Sequence, residues 1–105
     1  MQMAIPKNLQ EFNSTLIREE PDKSWPLALK GLWFAAKGDW QSAHDLIDGA
    51  KEEMSSWIHA HLHREEGDEW NAAYWYRLAQ RPVPKISLQE ERNQLIDIVL
   101  EQTLL

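Results

Sequence analysis

The chain has 105 residues, a formal net charge of −6, a hydrophobic fraction of 43% and no cysteine. This length and composition suit one packed domain, and we expect a single domain over residues 1–105. The absence of cysteine excludes disulfides, thiolate nucleophiles, iron–sulfur clusters and cysteine-rich zinc sites.

The charge and the longest apolar stretch indicate neither a nucleic-acid nor a membrane partner. Nucleic-acid interfaces concentrate Lys and Arg, whereas the 11 basic residues here are scattered. An alternative nucleic-acid adaptor would use four of them: Arg64, Arg77, Arg81 and Lys85. Residues 25–36 are too few to span a bilayer, and the segment MQMAIPKNLQEF lacks a signal-peptide pattern. We therefore expect a cytoplasmic protein.

Hydrophobic spacing and helix punctuation predict six helices, which makes the expected fold class all-α. The first three are expected over residues 7–20, 26–37 and 39–48. Ser24 is the predicted N-cap of the second helix. That helix is apolar on nearly every side, which places it at the centre of the fold. Gly31 within it predicts close approach by another helix, which would offset the cost of an interior glycine.

The next two helices are predicted over residues 51–66 and 68–80, and the prolines of residues 81–84 end the second of them. The sixth helix begins at Ser87, where Glu90 three residues on completes a capping box. Its apolar residues spread over a wide stripe. We therefore expect this helix to lie in a groove of the protein or against a partner chain.

An internal repeat joins the second to the fifth helix. A shift of 29 residues places Gly38 on Gly67 and Asp39 on Asp68. The glycine is predicted to leave one helix in the left-handed conformation, and the aspartate to cap the next. Two helical hairpins, flanked by the N- and C-terminal helices, are therefore expected.

The hairpins resemble the tetratricopeptide repeat family and its Sel1-like relatives over residues 26–84. The residues that carry the resemblance are Gly31, Phe34, Ala72, Tyr76 and Pro84. The period of 29 is shorter than the family's usual period of about 34, and His63 replaces an aromatic residue. The resemblance implies paired helices that mediate protein–protein contacts.

A second resemblance covers the run HREEGDEWNAAYWYR, from His63 to Arg77. This run is similar to a signature of small bacterial and fungal proteins with no established activity. The likeness implies that function would lie on the second hairpin. The candidate partner- or ligand-binding residues on this run are His63, Arg64, Trp70, Asn71, Tyr74 and Arg77.

Helix five is predicted to have two aromatic sides. Trp70, Tyr74 and Arg77 share one side, and aromatics beside arginine are typical of interaction hot spots. The alternative is that the sixth helix covers this side. For most of the six tryptophans we expect gap-filling between helices.

Histidines alternate along helix four. His59 and His63 share a face at i and i+4, and with Glu66 they can hold zinc or non-haem iron. His61 points the opposite way and His44 lies elsewhere. The alternative is a solvated polar face. Four charged residues are expected to form a salt-bridge cluster at the second turn: Arg64, Glu65, Glu66 and Asp68.

Taken together, these patterns favour a non-catalytic protein without a cofactor that binds a protein partner or forms a homodimer. The alternative is a small-molecule or metal-dependent enzyme that uses His59, His63 and Glu66, with Tyr74 or Arg77 from the adjacent helix.

Overall fold

The computed structural model describes residues 4–105. The first three residues of the segment MQMAIPKNLQEF, which lacks a signal-peptide pattern, lie outside the described residues. Six α-helices and one short 3-10 turn account for all the regular structure of the described chain, which confirms the all-α prediction. The helices are α1 (Leu9–Ser14), α2 (Leu27–Ala36), α3 (Trp40–Ile47), α4 (Glu53–Glu65), α5 (Glu69–Leu78) and α6 (Leu88–Leu104).

The two Gly-Asp turns close two helical hairpins, α2–α3 and α4–α5. Gly38 and Gly67 have φ angles of +82° and +84°, in the left-handed region that favours glycine. Asp39 and Asp68 then accept the backbone N–H three residues on, each at 3.1 Å. The same hydrogen bonds, with those from the side chains of the capped residues, lower the pKa of both carboxyl groups. The predicted turn is therefore confirmed in both copies.

Helix α2 occupies the centre, as its apolar sequence predicts, and packs against α3, α4 and α6. Leu29, Leu32 and Trp33 are fully buried. A Cβ atom on Gly31 would lie 2.9 Å from Cγ1 and Cδ1 of Ile47 on α3. The expected close approach is thus present, and a side chain at residue 31 would obstruct it.

Helix α6 lies in a groove formed by α2 and α4, one of the two predicted arrangements. Its buried residues are Glu91, Leu95, Ile96, Val99 and Leu100. The predicted capping box is present, because Glu90 N–H donates to Ser87 Oγ at 3.0 Å and Ser87 N–H donates to Glu90 Oε1 at 3.3 Å.

Two local predictions near the N-terminus are wrong. Helix α1 ends at Ser14, where the Ser14 and Thr15 hydroxyls each donate to a carbonyl three residues back at 2.6 Å, and a 3-10 turn follows. Ser24 is not the N-cap of α2, because its hydroxyl and its N–H both donate to Asp22. Pro26 precedes α2 without a side-chain cap.

Candidate functional site

Three histidines from two helices meet between the hairpins, and we call His44, His59 and His63 the histidine centre. His44 lies on α3, while His59 and His63 lie one turn apart on α4. Their ring centroids form a nearly equilateral triangle, with separations of 4.8, 4.9 and 5.4 Å. One ring nitrogen of each residue lies within 4.8 Å of the other two. The arrangement brings three metal-ligating atoms to one point.

His59 and His63 are within hydrogen-bond distance of each other. Their Nε2 atoms are 3.1 Å apart. An ion that holds imidazole nitrogens tetrahedrally at about 2.05 Å separates those nitrogens by about 3.3 Å, and the ring centroids by about 5.2 Å. The His59–His63 nitrogen distance and the three centroid distances lie close to these values, and the ligand nitrogen of His44 lies within 4.8 Å of the other two.

Glu66 fixes the orientation and tautomer of His63. Its Oε1 lies 2.6 Å from His63 Nδ1, and because a carboxylate only accepts hydrogen bonds, Nδ1 carries the proton. Nε2 is the nitrogen left to offer a lone pair, and it faces His59. A carboxylate behind a metal-ligating imidazole is the usual arrangement in zinc sites.

His59 is buried between the ring of Trp75 and the other two imidazoles. Trp75 of α5 stacks on its ring at a centroid distance of 3.8 Å, and its Nδ1 has no hydrogen-bond partner among residues 4–105. Burial, together with the neighbouring rings of His63 and His44, lowers the pKa of His59 to about 4. The ring is therefore neutral at pH 7.

His44 lies at the more accessible edge of the histidine centre. Trp40 stacks on its ring at 4.7 Å and anchors to α4, since the indole N–H donates to the Leu62 carbonyl at 2.7 Å. Asp48 lies one turn beyond His44, with Oδ1 at 4.0 Å from His59 Nε2. Two half-buried tryptophans thus hold two of the three rings.

Of the three metal ligands predicted from sequence, His59 and His63 lie together, but Glu66 does not join them in one ligand set. Glu66 contacts the outer nitrogen of His63, and His44 occupies the third position around the inner nitrogens. His63, Glu66 and Asp68 also place ligand atoms within 4.8 Å of one another, but Asp68 is engaged as the N-cap of α5. Sequence spacing alone missed His44 because no local pattern links α3 to α4.

The alternative of a solvated histidine face is wrong. His59, His61 and His63 are 1%, 0% and 8% exposed. His61 does point away from the other two, as predicted, and its Nδ1 lies 2.7 Å from a carboxylate oxygen of Glu91.

Glu91 of α6 is fully buried and binds four donors, an arrangement that we call the Glu91 network. Oε1 accepts from His61 Nδ1 and from Arg64 Nη1 at 2.7 and 3.0 Å. Oε2 accepts from the Tyr76 hydroxyl and Trp57 Nε1 at 2.6 and 3.0 Å. Burial raises the pKa of Glu91, but these hydrogen bonds outweigh it and bring the pKa to about 2.

The Glu91 network joins α6 to α4 and α5. Each oxygen of the Glu91 carboxylate accepts two hydrogen bonds within it. Burial and the adjacent carboxylate raise the pKa of Tyr76 well above its ordinary value, so the phenol stays protonated and donating. Arg64 also donates to the Ile86 carbonyl, before α6 begins. We assign the network to stability, because every polar atom of the carboxylate is already paired.

The prediction of a salt-bridge cluster at the second turn is also wrong. Arg64 pairs with Glu91 instead of the acidic residues of the turn. Glu65 approaches His61 at 3.7 Å, and Glu66 binds His63. Each charge of the turn has a separate partner, because successive helical residues point in different directions.

The outer face of α5, formed by Trp70, Tyr74 and Arg77, is open. Trp70 is 78% exposed and Tyr74 is 39% exposed, so the alternative that α6 covers this face is wrong. The other side of α5 packs into the core through Ala72 and Tyr76, and the Asn71 side-chain N–H donates a hydrogen bond to Asp68.

The prediction that tryptophans fill gaps between helices is confirmed for three of them: Trp25, Trp33 and Trp57.

The fold and its site together define an all-α protein of two helical hairpins with a buried three-histidine centre between them. No family model, curated protein or solved structure matches the chain. Across residues 4–105, no helix combines the length and hydropathy needed to cross a bilayer.

Proposed function

We propose that this protein binds a transition-metal ion, with Zn²⁺ as the best-fitting class, through His44, His59 and His63. The observation that carries the proposal is the triangle of imidazoles, whose ring centroids lie about as far apart as those of three ligands on one tetrahedral ion. Imidazole nitrogen suits zinc, copper, iron and nickel. The lowered pKa of His59 and the hydrogen bond of Glu66 to His63 support the same conclusion, because a ligating histidine needs a free lone pair.

The direct test is titration of the metal-free protein with Zn²⁺ and Co²⁺ in a calorimeter, with elemental analysis of the washed product. We expect one ion per chain. His59→Gln and His63→Gln should each abolish stoichiometric binding. His61→Gln is the matched control, because His61 lies between them on the same helix and is equally buried but faces Glu91.

Circular dichroism of every variant separates loss of the site from loss of the fold. Folded His59→Gln and His63→Gln proteins that bind zinc as tightly as the wild type would overturn the proposal. Failure of the wild-type protein to bind either ion at micromolar concentration would overturn it equally.

The outer face of α5 favours a second candidate function, self-association into a homodimer. The observation that favours a homodimer is the exposure of Trp70, since a large indole in open solvent is typical of interaction surfaces. An antiparallel two-fold pairing of α5 with its copy would set Trp70 beside the partner's Arg77, two turns away along the helix. Such a self-complementary cation–π contact is consistent with an isologous dimer.

Light scattering during size-exclusion chromatography tests this second candidate. We expect a mass of twice 12.3 kDa at high protein concentration, reverting to the monomer with Trp70→Ser. Ile17→Ser removes an apolar side chain elsewhere that is even more exposed than Trp70, and should leave the dimer intact. A wild-type monomer at every concentration would eliminate self-association through α5.

A further inference from the structure

Helices α3 and α4 each present a pair of metal-binding side chains to the other. His59 and His63 are spaced i, i+4 on α4, and His44 and Asp48 have the same spacing at the end of α3. Side chains at this spacing lie on one face of a helix. At the junction of the hairpins, His44 contacts both histidines of α4, and Asp48 lies beside His59.

Asp48 is an exposed carboxylate beside the histidine centre. Its side chain is 63% exposed, and its carboxylate makes no hydrogen bond with another side chain in the described part of the chain. Its Oδ1 lies 4.0 Å from His59 Nε2. Ligand atoms on one tetrahedral zinc ion are about 3.3 Å apart. Asp48 lies outside the group of three whose ligand atoms are within 4.8 Å of one another, so its exposed side chain has to turn inward to approach all three imidazoles.

We propose that Asp48 is the fourth ligand of the metal ion, which completes a closed His₃Asp set. This inference rests on the proposed function, since it presupposes that the three histidines bind the ion. Carboxylate oxygen is an ordinary zinc ligand, and four protein ligands mark a structural site, whereas catalytic sites keep a position open for water. The ion would then fasten the first hairpin, through His44 and Asp48, to the second, through His59 and His63.

The experiment uses the full-length protein loaded with Co²⁺, whose visible spectrum reports coordination, with azide as a small exogenous ligand. A closed site has no position for azide, so the wild-type spectrum should not change. Asp48→Asn weakens the fourth ligand, and its spectrum should respond to azide while its metal affinity falls at least tenfold. Asp45→Asn should behave as the wild type.

Asp45 is a close match as a control. It lies on the same helix, its side chain is 68% exposed, and its carboxylate is 3.9 Å from a nitrogen of His44. If Asp48 acted only through its charge, Asp45→Asn would lower the metal affinity to a similar degree. Equal effects of the two variants would therefore overturn the assignment of Asp48 as a ligand.

The outcomes also distinguish this inference from the proposed function. A wild-type protein that binds Co²⁺ through His59 and His63 but responds to azide exactly as Asp48→Asn does would overturn the fourth ligand alone. Absence of any protein-bound cobalt spectrum would overturn both proposals. Azide resistance that is lost only in Asp48→Asn would support both.

Discussion

At the scale of single residues, Glu66 determines which nitrogen of His63 faces the histidine centre. We predict that Glu66→Gln lowers zinc affinity about 10- to 100-fold, because the amide can donate as well as accept and no longer imposes one tautomer. Calorimetric titration measures the change. Glu65→Gln is the control, since Glu65 approaches His61, on the opposite side of α4. An affinity of Glu66→Gln within twofold of the wild type would contradict this role.

Glu91 gives the protein an acid-dependent contribution to stability. Its pKa is lowered to about 2 in the folded state from an ordinary 4.5, so the stabilisation is fully present above pH 4.5 and is lost as the pH falls toward 2. The full contribution is about 3 kcal/mol of the free energy of unfolding. We predict that Glu91→Gln loses roughly this amount at pH 7 and flattens the pH dependence between 4.5 and 2.

Urea unfolding at pH 7, 4 and 3 checks the Glu91 prediction. Tyr76→Phe removes one donor but keeps the carboxylate, so it should cost about 1.5–3 kcal/mol and retain the acid dependence. A Glu91→Gln protein whose stability still falls as steeply as that of the wild type would locate the acid sensitivity elsewhere.

The sequence predicts only those parts of the site whose contacts are local. The pairing of His59 with His63, and the position of Glu66 one turn on, follow from helical spacing. The positions of His44 in the histidine centre and of Glu91 in its own network do not, because both depend on packing between helices. Glu91 lies in the first turn of α6, where the helix dipole favours an acidic residue. An acidic residue at this position therefore does not by itself indicate a buried network.

At the scale of the helical elements, the hairpins were predictable because their signals are local. A glycine in the left-handed region and an aspartate that caps the next helix determine each turn within two residues. The end of α1 was not predictable from apolar spacing, since the Ser14 and Thr15 hydroxyls compete for its last carbonyls. Burial of the histidines was also missed, because it depends on how α3, α4 and α5 pack together.

The contact between α2 and α3 supports a prediction of its own. Gly31→Ala places a Cβ 2.9 Å from two side-chain carbons of Ile47. Overpacking costs about 1–3 kcal/mol, and the gain in helix propensity returns about 1 kcal/mol, so we expect a net loss of about 1 kcal/mol. Ile47→Val removes one of the two obstructing carbons, so Gly31→Ala should cost less in that background. Urea unfolding of the double-mutant cycle measures the difference, and equal costs would contradict the contact.

At the scale of the whole molecule, two hairpins are fewer than the three or more units that usually stabilise a repeat array. Helix α6 supplies part of the missing cover by packing on α2 and α4, and the Glu91 network fastens it there. The histidine centre lies at the remaining junction, between α3 of the first hairpin and α4 of the second. An ion bound at this point would hold the two hairpins together, because its ligands come from both of them.

We therefore predict that zinc raises the melting temperature of the whole chain. An ion that binds only the folded state adds about 2.7 kcal/mol when its free concentration is 100 times the dissociation constant. For a domain of this size that corresponds to roughly 10 °C, at about 4 °C per kcal/mol. Differential scanning calorimetry with buffered zinc should show a rise that continues with the logarithm of the free zinc concentration. His63→Gln should melt at a temperature independent of zinc, because it lacks the ligand that Glu66 orients. A rise of equal size in both proteins would mean that the ion acts on the surface, and the junction between the hairpins would then owe its stability to packing alone.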